Sequence, residues 1–337
     1  MSMADFKELL KVLGKGLPSR PVLFEFYLNE RLYRRACKEK YDVSTPYAIM
    51  RTMVRSFEYY GYDYATVRGS EYWFSNGESQ EKATVSLNAG HCIVDRISFD
   101  RYPWMDAAAC DYSALQRIAT DLPRGMKVVV MGPGGVLENC ISLVGFDNLC
   151  MMLYDDRELV GDVFERIGSG LVEYYRRCAA YDSVGALISN DDWGFNTQTM
   201  LSPADLKEFV FPWHKRIVEV IHNAQKPAIL HSCGNYSMIF DDLLALGYDA
   251  RHSYEDNIIP VEQAYEQFAG KMAVLGGIDV NYLITASENE IVARCKKMLE
   301  RASLRGGYAL GSGNSIPDYV PDEKYFAMLR AVSEKEW

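Results

Sequence analysis

His231 and Cys233 stand one residue apart in LHSCGN, residues 230–235, where an apolar run breaks into polar residues. In an extended segment, positions i and i+2 face the same side, so an imidazole nitrogen and a thiolate could meet one zinc ion at about 2.0 and 2.3 Å. A zinc site needs three or four ligands, so the rest must come from other strands. The bland alternative is a capping histidine beside a buried cysteine. His252 and Glu255, in RHSYEDN at 251–257, are the nearest further source, and Asp191 and Asp192, in NDDWG at 190–194, are a second. One imidazole, one carboxylate and one thiolate would leave an open position, as a catalytic zinc requires. Equally, His252 and Glu255 could orient ligands or substrate through hydrogen bonds, and the two aspartates could cap helices or act as a general acid.

Other strand ends are polar as well. Glu25, Tyr27, Trp193, Asn235, Asp279 and Asn314 are the candidates for touching substrate, with Asp191, Asp192 and Glu255 as catalytic groups. MGPGGVLEN (131–139) has the glycines of a phosphate cradle but lacks the Lys and Ser/Thr of a P-loop, and reads as a rim loop. His91, His214 and His222 lie outside these motifs and read as surface or helix residues. The aromatic patch from Phe57 to Tyr64 reads as core packing.

The elements that must position these groups alternate short apolar runs with amphipathic stretches, the pattern of repeated βα units. Strands are predicted at 22–27, 64–67, 93–99, 127–131, 185–189, 228–231, 249–252, 273–275 and 308–310. Leu206 to Ile221, interrupted by Pro212, and Ile291 to Leu299 have helical spacing. No GxGxxG follows the first strand, so a (β/α)8 TIM barrel fits better than a doubly wound sheet, with chemistry at the C-terminal rim. The expected organisation is one barrel over residues 1–337 with an N-terminal helical extension, since no low-complexity linker or repeat divides the chain.

The 337 residues carry 36 Lys+Arg against 46 Asp+Glu, a formal charge of −10, which argues against a nucleic-acid surface. No apolar run reaches the roughly 18–20 residues of a membrane span and no secretory apolar region opens the chain, so a cytoplasmic protein without a membrane partner is expected. The eight cysteines form no CxxC pair and read as reduced thiols.

The strand-end motifs, from NDDWG and LHSCGN through RHSYEDN and LGGIDV to GSGNSIPDYVP (311–321), resemble the uroporphyrinogen decarboxylase superfamily, in the branch that includes corrinoid-dependent methyltransferases. The resemblance implies a (β/α)8 barrel. True uroporphyrinogen decarboxylases carry an arginine-rich RQAGRY-like loop after the first strand. This chain has FEFYLNERLYRR there, so the guanidinium cluster for substrate carboxylates is missing and Arg31, Arg34 and Arg35 fall on the next helix. The methyltransferase branch, including methylcobamide:coenzyme M enzymes, pairs an HxC with a later cysteine in a GCxIP-like segment; Asn314 stands in that place here. The Glu-x14-Glu-x20-His zinc pattern of some O-demethylase relatives is absent. A replacement ligand is therefore needed, and His252, Glu255, Asp191 or Asp192 could serve. The resemblance implies zinc-dependent methyl transfer between a small methoxylated or methylthiolated substrate and the cobalt of a corrinoid. With no DxHxxG segment in the chain, the corrinoid (cobalamin) must arrive on a separate protein. The alternatives are a metal-free decarboxylase and a non-catalytic tetrapyrrole or corrinoid binder.

Overall fold

The computed structural model describes residues 4–76, 87–88 and 92–333; His91 lies outside them. Seven short strands form one parallel sheet in chain order: β1 Tyr64–Arg68, β2 Lys127–Met131, β3 Val184–Asn190, β4 Ala228–His231, β5 Ala250–His252, β6 Ala273–Leu275 and β7 Tyr308–Ala309. Their residues are almost continuously buried, as a parallel sheet covered on its faces requires. The sheet is curled like a barrel. The predicted first strand, 22–27, is an irregular segment attached to β7 by Phe24 N–H to Leu310 O at 2.7 Å and Leu310 N–H to Val22 O at 2.8 Å. Towards β1, the Tyr64 hydroxyl accepts from Glu25 N and donates to Glu25 O, both at 2.7 Å. A side chain thus does there what a ladder of backbone bonds does elsewhere.

One predicted strand is a helix. Within 93–99, Asp95 accepts from Ser98 N–H and the Ser98 hydroxyl accepts from Asp95 N–H, a capping box that starts the helix Arg96–Arg101. The hydrophobic residues Ile93 and Phe99 mimic strand alternation, but the cap satisfies the first free N–H groups of a helix and decides the outcome. The 206–221 stretch is helical as expected, with a π-turn over Leu206–Val210 just before Pro212, which sits in the first turn of Phe211–Asn223. The proline follows directly on the π-turn, in which Phe211 N–H bonds to Leu206 O, so it falls where the helical hydrogen-bond pattern changes.

Outside the sheet, the 23-residue helix Arg157–Ala179 buries Leu159, Val163, Phe164, Ile167 and Leu171. A Cβ on Gly168 would come within 2.1 Å of the Trp213 ring, so glycine allows the close approach of this helix to Phe211–Asn223. The amphipathic N-terminal helix Phe6–Leu13 buries Phe6, Leu9, Val12 and Leu13 against the same continuous core. Phe57, Tyr60, Tyr62 and Tyr64 are fully buried core residues. Among the described residues no single helix is long and apolar enough to cross a membrane.

Register carries this architecture to the site. Asn190 on β3 lies opposite His231 on β4, and His231 opposite His252 on β5, all at C-terminal strand ends. Residues matched across adjacent parallel strands point the same way.

Candidate active site

Asp192, His231 and Cys233 offer one ligand atom each, all within 4.8 Å of one another. Asp192 follows β3 and accepts from Cys233 N–H at 2.7 Å, which locks its carboxylate over the β4 loop. Cys233 Sγ lies 3.8 Å from His231 Nε2 and receives hydrogen bonds from Ser253 Oγ and Asn314 Nδ2, each at 3.3 Å. Behind this cluster, His231 Nδ1 and His252 Nδ1 are 2.8 Å apart, and His252 Nε2 is 3.2 Å from Ser312 O. A carbonyl only accepts, so His252 donates from Nε2, its Nδ1 is the acceptor, and His231 must donate from Nδ1. That leaves the His231 Nε2 lone pair facing Cys233. Burial holds both imidazoles neutral, His252 with its pKa pushed down to about 3 and His231 well below the usual range.

Both nitrogens of His252 are engaged in hydrogen bonds, so it offers no lone pair to a metal; instead it orients the His231 ring. The chain continues to Glu25, which accepts from Ser312 N–H at 2.6 Å and Ser312 Oγ–H at 2.7 Å. Glu25 is fully buried, and burial raises its carboxyl to about 8. It is spent on Ser312 and lines no part of a substrate cavity, and Arg251 is likewise fully buried. Arg251 donates to Ser253 O and Ser232 O and stacks between the rings of Tyr236 and Tyr254, at 4.2 and 4.8 Å.

The adjacent aspartates do different things. Asp191 is wholly buried and accepts from Leu137 N–H, Glu138 N–H, Trp193 Nε1–H and His214 Nε2 at 2.8–3.0 Å. Its carboxylate caps the helix Val136–Val144, the place to which the glycine loop at 131–135 leads; a Cβ on Gly135 would overlap it. Trp193, 1% exposed, is the indole arm of that network and not a pocket wall. Asp191 has no free acceptor face for catalysis. In Asp192 burial pushes the carboxyl upward in pKa, and Glu138, also buried and beside Asp192 and Asp191, rises to about 8.

A cavity of about 670 Å³ lies next to the cluster, lined by Tyr27, Tyr254, Glu255, Asp279 and Asn314 among others, while the three donors themselves are not part of its wall. Asn314 touches both, since its amide reaches Cys233 Sγ. Burial, then the Asp279 and Asp192 carboxylates, raise the Glu255 carboxyl. Asp279 also caps the helix Val280–Thr285 through Tyr282 N–H. Asn235 lines no part of the cavity; it closes a turn, accepting from Ser237 N–H and donating to Asn196 O.

His214 and His222 both lie on the helix Phe211–Asn223, as expected, but each has a polar partner that the sequence did not show. His214 is fully buried and pairs with Asp191 at 2.8 Å and with the Tyr248 hydroxyl at 2.7 Å, and His222 pairs with Asp249 at 2.8 Å. Their partners are more than twenty positions away, so no local signal marks them. Arg251 and Ser253 had a signal that could have been used, because both flank His252 in the motif RHSYEDN.

Comparison with known proteins agrees with this architecture. The chain is 29% identical over 193 residues to uroporphyrinogen decarboxylase of Anaeromyxobacter dehalogenans, covering 57% of this chain and 53% of that protein. It is 28% identical over 222 residues to that of Geobacter sp. strain M21, covering 61% and 60%. The chain thus spans little more than half the length of these curated relatives. Among solved structures, a methyltransferase from Methanosarcina mazei superposes with a TM-score of 0.69 at 15% identity, over 96% of each chain, which establishes a shared fold. The profile of the uroporphyrinogen decarboxylase (URO-D) family matches residues 105–335, most of the chain, and the protein belongs to that family.

Proposed function

We propose that this protein is a zinc-dependent methyltransferase of a corrinoid system. The observation that carries the reading is the convergence of Asp192, His231 and Cys233 within 4.8 Å at the rim of the sheet. The donor set fits zinc: a neutral imidazole with its Nε2 lone pair aimed at the thiol, a thiol, and a carboxylate in place of the cysteine that Asn314 replaces. Three protein ligands leave one position for substrate. When bound, zinc supplies Lewis acidity, holding a thiol in its nucleophilic form or drawing charge from a methoxyl oxygen.

The chain's own residues prepare the site for that ion. His252 fixes the tautomer of His231, the Cys233 N–H fixes Asp192, and Ser253 and Asn314 donate to the sulfur and temper its charge. The cavity beside Asn314 receives the small methylated substrate, and the corrinoid arrives on a separate protein at the same mouth. A corrinoid held by that partner would supply the cobalt nucleophile that forms the new bond to the methyl carbon, while the oxygen or sulfur keeps the old bond pair and takes up a proton; in the opposite direction a thiolate would form the bond to carbon and the pair would return to cobalt.

Metal content per chain, measured on protein purified without chelator, tests the proposal. About one zinc is expected, lost in His231→Ala and Cys233→Ala and weakened in Asp192→Asn. Protein that takes up no zinc when supplied with it overturns the mechanism. Demethylation of free methylcobalamin in the presence of thiols, followed by its absorbance, then reads the activity. A second reading, metal-free decarboxylation with Asp192 as proton donor, draws support from the names of the curated relatives and from the raised pKa of Asp192. It predicts carbon dioxide release from a carboxylated substrate with no metal.

A further inference from the structure

The cavity beside the three-donor cluster has a distinctive lining. Three carboxylates, Glu255, Asp256 and Asp279, and three tyrosines, Tyr27, Tyr254 and Tyr319, face it, and neither lysine nor arginine is part of the wall. The carboxylates are not equivalent. Asp256 is held by Arg294, Nη1 to Oδ2 at 2.6 Å and Nη2 to Oδ1 at 2.8 Å, and that arginine also pairs with Glu262. Asp279 accepts from Tyr282 N–H at 2.8 Å and Asp256 N–H at 2.9 Å. The Glu255 carboxylate has no hydrogen-bond partner among the described residues, although it is about half buried. The nearby guanidinium of Arg251 is committed to two carbonyls and two rings.

An anionic guest would enter this cavity against Glu255 and find no cation in its wall, whereas a cation would relieve the repulsion among Glu255, Asp279 and Asp192. We infer that the site takes a small substrate bearing an ammonium group, read by Glu255, while the reacting end reaches the donor cluster past Asn314. The inference rests on the reading of that cluster as the reaction centre and names the substrate class for it. It sets this protein apart from enzymes that hold polycarboxylate tetrapyrroles or sulfonated thiols.

Three thiols of matched length separate the possibilities: cysteamine (cationic), 2-mercaptoethanol (neutral) and 2-mercaptoethanesulfonate (anionic), titrated by calorimetry into zinc-loaded protein whose zinc content is measured beforehand. Cysteamine is expected to bind roughly tenfold tighter than 2-mercaptoethanol, with the sulfonate weakest, and Glu255→Gln to bring the three to within about threefold of one another. Equal affinities in the wild type, a preference for the sulfonate, or a cation preference that survives Glu255→Gln would overturn it. A metal-independent arm uses n-butylammonium and butyrate with untreated protein, observed by ligand NMR. Butylammonium alone should show contact, and lose it in Glu255→Gln. If zinc does not bind but butylammonium does, the reaction-centre reading fails and the charge assignment stands. If zinc binds and butyrate competes as well as butylammonium, the charge assignment fails alone.

Discussion

At His231 the chemistry turns on which ring nitrogen keeps its lone pair, and that is settled by Ser312 O at the far end of His252. Replacing His252 by alanine is expected to leave zinc stoichiometry near one but weaken zinc affinity by about 10–100-fold in a chelator competition, the usual cost of losing such a partner. His252→Gln, which can still donate and accept, should recover part of the loss. Glu25 gives a pH prediction. Its carboxyl is raised from 4.5 to about 8 in the folded protein, so the folded state holds a proton that the unfolded state releases between those values. Its contribution to stability is complete below about pH 4.5 and disappears as pH climbs through 8. Glu25→Gln should therefore shrink the fall in Tm between pH 6 and pH 9 by roughly 2–4 °C, measured by calorimetry. That His231 and Cys233 face one space was legible in the sequence because the strand period of two needs only local spacing. The division of labour between Asp191 and Asp192 was not, because adjacent residues on a strand end point oppositely and only the position of the helix Val136–Val144 says which one it captures.

The strand elements were largely legible, since β1 to β7 each coincide with an apolar run bounded by turn residues. Their limits were set by pairing and not by composition: β3 runs from Val184 to Asn190 because β2 and β4 both offer partners. The 93–99 run failed because a capping box outweighed apolar alternation. The loop after β4 depends on Gly234. Its φ is +86°, and a Cβ there would stand 1.9 Å from Gly194 O, so both conformation and space demand glycine. Gly234→Ala is expected to destabilise the fold by roughly 1–3 kcal/mol in chemical denaturation and to lower zinc occupancy, because Cys233 is its neighbour.

Taken whole, the molecule is a curled sheet whose first turn is held on one side by two backbone bonds to Leu310 and on the other by a phenol. A parallel α/β sheet was legible from the βα alternation; the form of this junction was not, because it depends on a tyrosine meeting a backbone thirty-nine positions earlier. Tyr64→Phe keeps the ring but strands Glu25 N–H and leaves Glu25 C=O with only the Thr66 hydroxyl at 3.4 Å, and is expected to cost about 1–3 kcal/mol of unfolding free energy. The chain that starts at His231 ends at this junction, passing through His252, Ser312 and Glu25. Whatever fastens His231 therefore also fastens the join between the first segment and the sheet, and the buried Ser312 amide becomes a gauge of what sits at the mouth: its hydrogen exchange should slow when zinc is added and quicken when it is stripped.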